Sequence, residues 1–199
     1  MSNLSVSSKK DSVREDILTI AQDIFSRYGY KKTTLDDIAQ AIRKGKSSLY
    51  YYFSSKEDLF QAVINKEADF LKSELAKVVE KNIEPEEKIR EYITTKLITY
   101  RDLGNLYNAI QNDLVAVEFL EQIKNSYEKE EIRMTKRILL EGARKGKFEI
   151  QDFTLSAIGI TTAIKGLEIP LAAGTWRHSD LEKSVDMIVK IICYGIMKR

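Results

Sequence analysis

Cysteine, histidine and tryptophan each occur once in the 199 residues, as Cys193, His178 and Trp176, and proline occurs twice. A single thiol excludes an intramolecular disulfide, and nothing else in cysteine usage points to secretion. Neither His178 nor Cys193 has a catalytic partner close in sequence. No Gly-rich phosphate loop, metal-ligand spacing or nucleophile motif is present. An enzyme is therefore not expected, nor a metal site, nor a cofactor. No apolar run reaches 18 residues, and the opening MSNLSVSSKKDS lacks the apolar stretch of a signal peptide. The expectation is a cytoplasmic protein with no membrane partner. Two prolines and nine glycines leave room for long, uninterrupted helices.

What is present is an ordinary soluble composition, 43% hydrophobic and 31% charged, long enough for one large or two small domains. No internal repeat or low-complexity tract is visible. The net charge of +2 conceals an asymmetry, because residues 1–55 carry nine basic and six acidic side chains while the remainder carries 23 and 24. The basic excess is local to the N-terminal quarter, which suits a DNA-facing head on a neutral body.

The most informative stretch is TTLDDIAQAIRKGKSSLYYYFSSKEDL, Thr33 to Leu59. Thr33 and Thr34 can cap a helix, and Leu35, Ile38, Ala39 and Ile42 recur at helical spacing. Gly45 is the residue of the following Arg43–Lys46 turn suited to a positive φ. Ser47 or Ser48 then caps a second helix, Ser48 to Phe53. A third starts near Ser54, with Glu57 as its capping-box partner. Two short helices across a tight turn make a helix-turn-helix, whose second helix can enter the DNA major groove.

Charge and tyrosines sharpen that reading. From Arg27 to Lys56 there are seven basic residues against Asp36 and Asp37, and such a surface gains affinity for DNA through counterion release. Lys44 and Lys46 flank the start of the recognition helix, where phosphates and base edges would lie. Tyr50, Tyr51 and Tyr52 cannot share one core face, since consecutive helical residues point about 100° apart. At least one hydroxyl must face outward, free for a phosphate or base edge. Short basic runs are usually solvated surface and tyrosine clusters usually packing; their order and spacing together argue for DNA.

These residues resemble the DNA-binding domain of the TetR family of bacterial transcriptional regulators. The resemblance rests on Ile17 to Tyr28 with Gly29, on Thr33-Thr34 and Asp37-Ile38-Ala39, on Lys46-Ser47-Ser48-Leu49-Tyr50-Tyr51-Tyr52-Phe53, and on Lys56-Glu57-Asp58-Leu59-Phe60. It implies that Lys46, Ser48, Tyr50 and Tyr51 face the major groove, that Thr33, Thr34, Tyr52 and Lys56 hold phosphates, and that Leu49 and Phe53 are core. Arg43 and Lys44 depart from the family pattern, which favours glycine and a small apolar residue at those positions, so either Arg43 adopts a strained backbone or Gly45 absorbs the positive φ.

Along the chain, residues 1–11 read as a disordered arm and 12–55 as the helix-turn-helix domain. Residues 56–84 read as a connecting helix and 85–199 as a helical effector-binding and dimerisation domain, giving an all-α fold. Ser12 to Tyr28 is amphipathic and closed by Gly29. Glu67 interrupts the apolar stripe of the connecting helix. Pro85 fits the first turn of the next, and Pro170 should kink or end the apolar helix from Thr154 to Ala173. The last two helices are apolar enough either to be a core helix and its cover or, as the resemblance implies, to pair with their copies in a homodimer. Pocket candidates in the body are Tyr92, Tyr100, Tyr107, Phe119, Tyr127 and Trp176, with Asn108, Gln111 and Lys165 as polar anchors. Lys165, in an apolar helix, has Glu168 at i+3 as its structural partner.

The function expected is a ligand-responsive, dimeric regulator, a repressor released from a palindromic double-stranded DNA operator by a small-molecule effector. The second reading is a helical ligand-binding or adaptor protein whose head has lost DNA binding.

Overall fold

The computed structural model describes residues 2–43, 45–106, 117–172 and 178–196. The fold is all-α, with helices α1 (Ser2–Tyr28), α2 (Leu35–Ala41), α3 (Lys46–Tyr52), α4 (Lys56–Glu80), α5 (Pro85–Asp102), α6 (Val117–Arg144), α7 (Phe153–Ala172) and α8 (His178–Ile196). Among the described residues no helix is long and apolar enough to cross a membrane.

Packing divides the chain into two units, residues 1–68 with 104–120, and residues 69–103 with 121–199. The division falls inside α4, and it assigns the segment after α5 to the same unit as the helix-turn-helix. That differs from the expected boundaries at 55 and 84.

In the first unit, Ile17, Leu18, Ala21 and Phe25 of α1 are buried with Ile38, Leu49, Phe53, Leu59, Phe60, Val63 and Ile64. Phe25 meets Phe60 edge-on at 5.0 Å. Each such large side chain contributes roughly 1.5–3 kcal/mol on leaving water. Gly29, at φ +82°, closes α1 as expected, its N–H donating to the Phe25 carbonyl at 2.9 Å. At its other end α1 starts at Ser2, taking in the residues expected as a disordered arm. Nothing between Ser2 and Ser12 is a proline or glycine, so no residue there stops the helix.

Glu67, the interruption in the α4 stripe, is 1% exposed. Its Oε1 accepts from Gln22 of α1 at 3.0 Å and from Asn105 at 2.8 Å, and its Oε2 from the Leu106 N–H at 2.7 Å. Asn105 also donates to the Gln22 carbonyl at 2.9 Å. The carboxylate thus ties α1, α4 and the segment after α5 together inside one unit.

In the second unit α5 packs on α7 and α8. It buries Ile89, Tyr92, Ile93 and Leu97, and the same unit buries Ile164, Val185, Val189 and Cys193. Cys193 is apolar filler, its thiol pushed up to about 11 chiefly by burial. α6 closes at Gly146 (φ +69°). Phe148 then folds back over Gly142, where a Cβ would lie 2.0 Å from the ring. α7 continues two residues beyond Pro170 rather than ending there.

Candidate nucleic-acid interface

Local chemistry sets α2 and α3. Thr34 caps α2 in a capping box with Asp37, whose carboxyl is held below its usual value by the Thr34 hydroxyl and N–H. α2 buries Ile38 and Ala39 and ends on Ile42. The left-handed residue of the turn is Arg43, at φ +53°. Of the two alternatives for the turn, a strained Arg43 or a left-handed Gly45, the first is the one adopted: Gly45 is extended at φ −65° and is the N-cap of α3 without a side-chain bond. α3 therefore begins at Lys46, two residues earlier than expected, and neither Ser47 nor Ser48 caps it. The box at the start of α4 is also shifted by one. Asp58 N–H donates to Ser55 Oγ, while Asp58 Oδ2 accepts from the Ser54 N–H and hydroxyl.

With Leu49 and Phe53 buried at 0% and 1%, α3 presents the opposite side to solvent: Tyr50 is 46% exposed and Tyr51 67%. Lys46 and Ser47 are exposed beside them, and Ser48 and Tyr52 are half-buried. Tyr51 and Tyr52 pack edge to face at 5.0 Å. Arg27, Lys31, Lys32 and Arg43 are exposed in the same unit. Lys46 Nζ lies 2.8 Å from Asp36 Oδ1 and 2.9 Å from Oδ2, and that carboxylate raises its pKa.

Two residues expected at phosphates are occupied internally. Thr33 is 2% exposed, and its hydroxyl donates to the Gly29 carbonyl at 2.9 Å. Lys56 donates to the carbonyls of Tyr30 and Thr33 at 3.0 and 3.1 Å and lies 4.2 Å over the Tyr30 ring. Both fasten the loop between α1 and α2 instead. Thr34 remains exposed but serves as the cap. Lys44 lies outside the described residues.

Of the expected effector residues, Tyr92, Tyr100, Tyr127 and Lys165 fall in the second unit and Phe119 in the first. Tyr107, Asn108, Gln111 and Trp176 lie outside the described residues. Lys165 pairs not with Glu168 but with Glu128 of α6, at 3.2 Å. Glu168 instead meets Lys96 of α5 at 2.8 Å, and Lys96 also meets Glu131 of α6 at 2.5 Å. Lys96 and Glu131 were not singled out from sequence, and Glu168 only as the expected partner of Lys165. The available signal was Lys96 four residues after Tyr92, and Glu131 four after Tyr127, each pair sharing one helix face.

A capped short helix, a tight turn and a second helix with an apolar inner and a tyrosine-rich outer side define a helix-turn-helix head on an all-α chain. Residues 17–63 match the family model described as bacterial regulatory proteins, tetR family. Over that stretch, about a quarter of the chain, the protein is similar to the TetR family. It is 39% identical over 98 residues to the HTH-type transcriptional regulator RutR of Escherichia coli (strain K12), covering 49% of this chain and 44% of RutR. The chain thus spans less than half the length of that relative. To the biofilm operon icaADBC HTH-type negative transcriptional regulator IcaR of Staphylococcus aureus (strain Newman) it is 29% identical over 140 residues, 62% of this chain and 74% of IcaR. A transcriptional regulator from Cytophaga hutchinsonii has a similar structure, with a TM-score of 0.81, 26% identity and coverage of 92% of this chain and 98% of that one.

Proposed function

We propose that this protein is a dimeric transcriptional regulator that binds a palindromic operator through α3 and is released from it by a small molecule, acting as a repressor. The observation that carries this is the two-sidedness of α3. Leu49 and Phe53 are buried while Tyr50, Tyr51, Lys46 and Ser47 stand outward, which is how a recognition helix must be divided to read a groove. Base contacts fall to Lys46, Ser47, Tyr50 and Tyr51. Phosphate contacts fall to the exposed cations of the same unit and to Tyr52.

A second copy of the chain is the partner that α8 fits. Val185, Val189 and Cys193 of α8 are buried, yet Met187, Ile191 and Tyr194 on another side are 59%, 64% and 79% exposed, and Leu155 of α7 is 66% exposed. Apolar groups at such spacing on two helices suit a helical bundle between copies. Two heads then engage half-sites about 34–36 Å apart. The effector acts from the second unit through α4, whose residues count in both units. It requires unequal affinity for the DNA-bound and released arrangements.

A gel-shift titration against the DNA upstream of the protein's own coding sequence tests the reading. Salt-sensitive, sequence-selective binding is expected, weakened about 1–3 kcal/mol by Tyr50→Ala or Lys46→Ala if a base is contacted. No selective binding favours the helical adaptor reading instead.

A further inference from the structure

The second unit buries charge that its fold does not require. On α5, Tyr92 and Lys96 are 3% and 0% exposed; on α6, Glu131 is 1% exposed. The Lys96 ammonium sits 2.5 Å from Glu131 Oε1 and 2.8 Å from Glu168 Oε1 of α7, and 6.0 Å from the centre of the Tyr127 ring. These contacts are close but not aligned as hydrogen bonds. Both Glu131 oxygens, the Lys96 ammonium and the hydroxyls of Tyr92 and Tyr127 are all without an aligned partner. The Tyr92 hydroxyl faces Thr135 and the Tyr127 hydroxyl faces Glu131.

The charges also fail to balance. Two carboxylates share one ammonium, and the nearby Lys165 is taken by Glu128. Burial is the main cause raising the Glu131 carboxyl above its ordinary value, with the Glu168 charge adding to it, and Lys96 offsets this only in part. A buried ion group of this kind seldom stabilises a fold more than apolar packing would. Unfilled hydrogen-bonding capacity beside aromatic rings and surplus negative charge is instead suited to a missing cation. Side-chain exposure rises from Glu131 at 2% through Glu168 at 17% to Lys165 and Glu128 at 37% and 44%, so Glu168 lies at the more exposed end of the cluster.

We infer that this cluster is the effector site and that its ligand is a small organic cation, an amine or quaternary ammonium. The cation is held by Glu131 and Glu168 and faced by Tyr92 and Tyr127. The identification as effector site rests on the regulator reading above; cation binding itself does not require DNA.

Calorimetry on the full-length protein without DNA tests it with three probes of nearly one shape: choline, the neutral 3,3-dimethylbutan-1-ol and the anionic 3,3-dimethylbutanoate. Choline should bind at least about tenfold more tightly than the alcohol, a difference of about 1.4 kcal/mol, and the carboxylate weakest. Glu168→Gln, at the partly exposed end of the cluster, should remove most of the choline preference while leaving alcohol binding unchanged. Equal affinity for the three probes, a preference for the anion, or no choline binding at millimolar concentration by folded protein each overturns the inference. Gel shift of the same preparation keeps the readings distinct. Choline binding without operator binding retains the cation site and removes the regulator; operator binding without choline binding does the reverse.

Discussion

The two units each bury a glutamate on a helix, and treat it in opposite ways. Glu67 receives N–H donors from Gln22, Asn105 and Leu106. Glu131 has a lysine beside it and not one aligned hydrogen bond. Both carboxyls are raised above their usual value, burial being the main cause in each case. A buried carboxylate whose lone pairs are filled from its own fold is a fastener. One whose capacity remains open is where something else can enter. The contrast also has a topological side, because Asn105 and Leu106 directly follow α5, and Glu67 is where that segment joins α1 and α4.

The contrast breaks most visibly through leucine substitutions. Glu67→Leu leaves the Asn105 amide and the Leu106 N–H without their carboxylate acceptor, and should cost about 3–5 kcal/mol in urea unfolding. Glu131→Leu leaves Lys96 still paired with Glu168 and removes a charge already in excess, so its cost should stay within about 1 kcal/mol. If the two variants lose equal stability, Glu131 is as structural as Glu67 and the distinction fails.

A smaller effect tests Glu131 by pH. A carboxyl whose folded pKa is raised contributes stability that is fully present below its unfolded value and is lost as pH rises through the folded value. Acidification from about pH 7 towards 5 should therefore stabilise the wild type relative to Glu131→Gln. The charged and titratable groups facing Glu131 include Lys96, Glu168, Lys165, Tyr92 and Tyr127. Of these, Lys96 and Lys165 oppose the shift and Glu168 adds to it. Urea midpoints for the two proteins should diverge at low pH. Parallel curves would mean that Glu131 is ionised at no cost, and so lacks no counter-charge.

The all-α fold was legible because its apolar stripes are long and glycine marks the ends of α1 and α6. The outward tyrosines followed from geometry alone, since three consecutive helical side chains cannot share a face. What escaped was chemistry with near-equivalent candidates. Ser54 and Ser55 compete for one cap, and sequence left open whether Arg43 or Gly45 would take the left-handed conformation that Arg43 adopts. Polar residues whose partners lie far along the chain escaped as well. Glu67 meets Asn105 across 38 positions, and Lys96 is hidden among Ile93 and Leu97 as one more position on a buried face. Lys165 misled for the same reason. Its near neighbour Glu168 was the natural partner by spacing, but Lys96 from α5 lies closer to that carboxylate.

The head contains its own counterpart to these buried pairs, on the surface. Lys46, at the start of α3, is exposed and held by Asp36 of α2, in the position where a phosphate or base edge would need its ammonium. An exposed pair of this kind contributes little to folding, so removing the carboxylate should leave stability nearly unchanged. It would, however, relieve Lys46 of a competitor and remove a negative charge from the proposed DNA-binding surface. Asp36→Asn is therefore expected to tighten operator binding by up to about 1 kcal/mol. The gain should be lost in the double variant with Lys46→Ala, which a gel-shift double-mutant cycle reads directly. If Asp36→Asn weakens binding instead, the carboxylate orients Lys46 for the groove, and the pair is part of the recognition surface rather than a restraint on it.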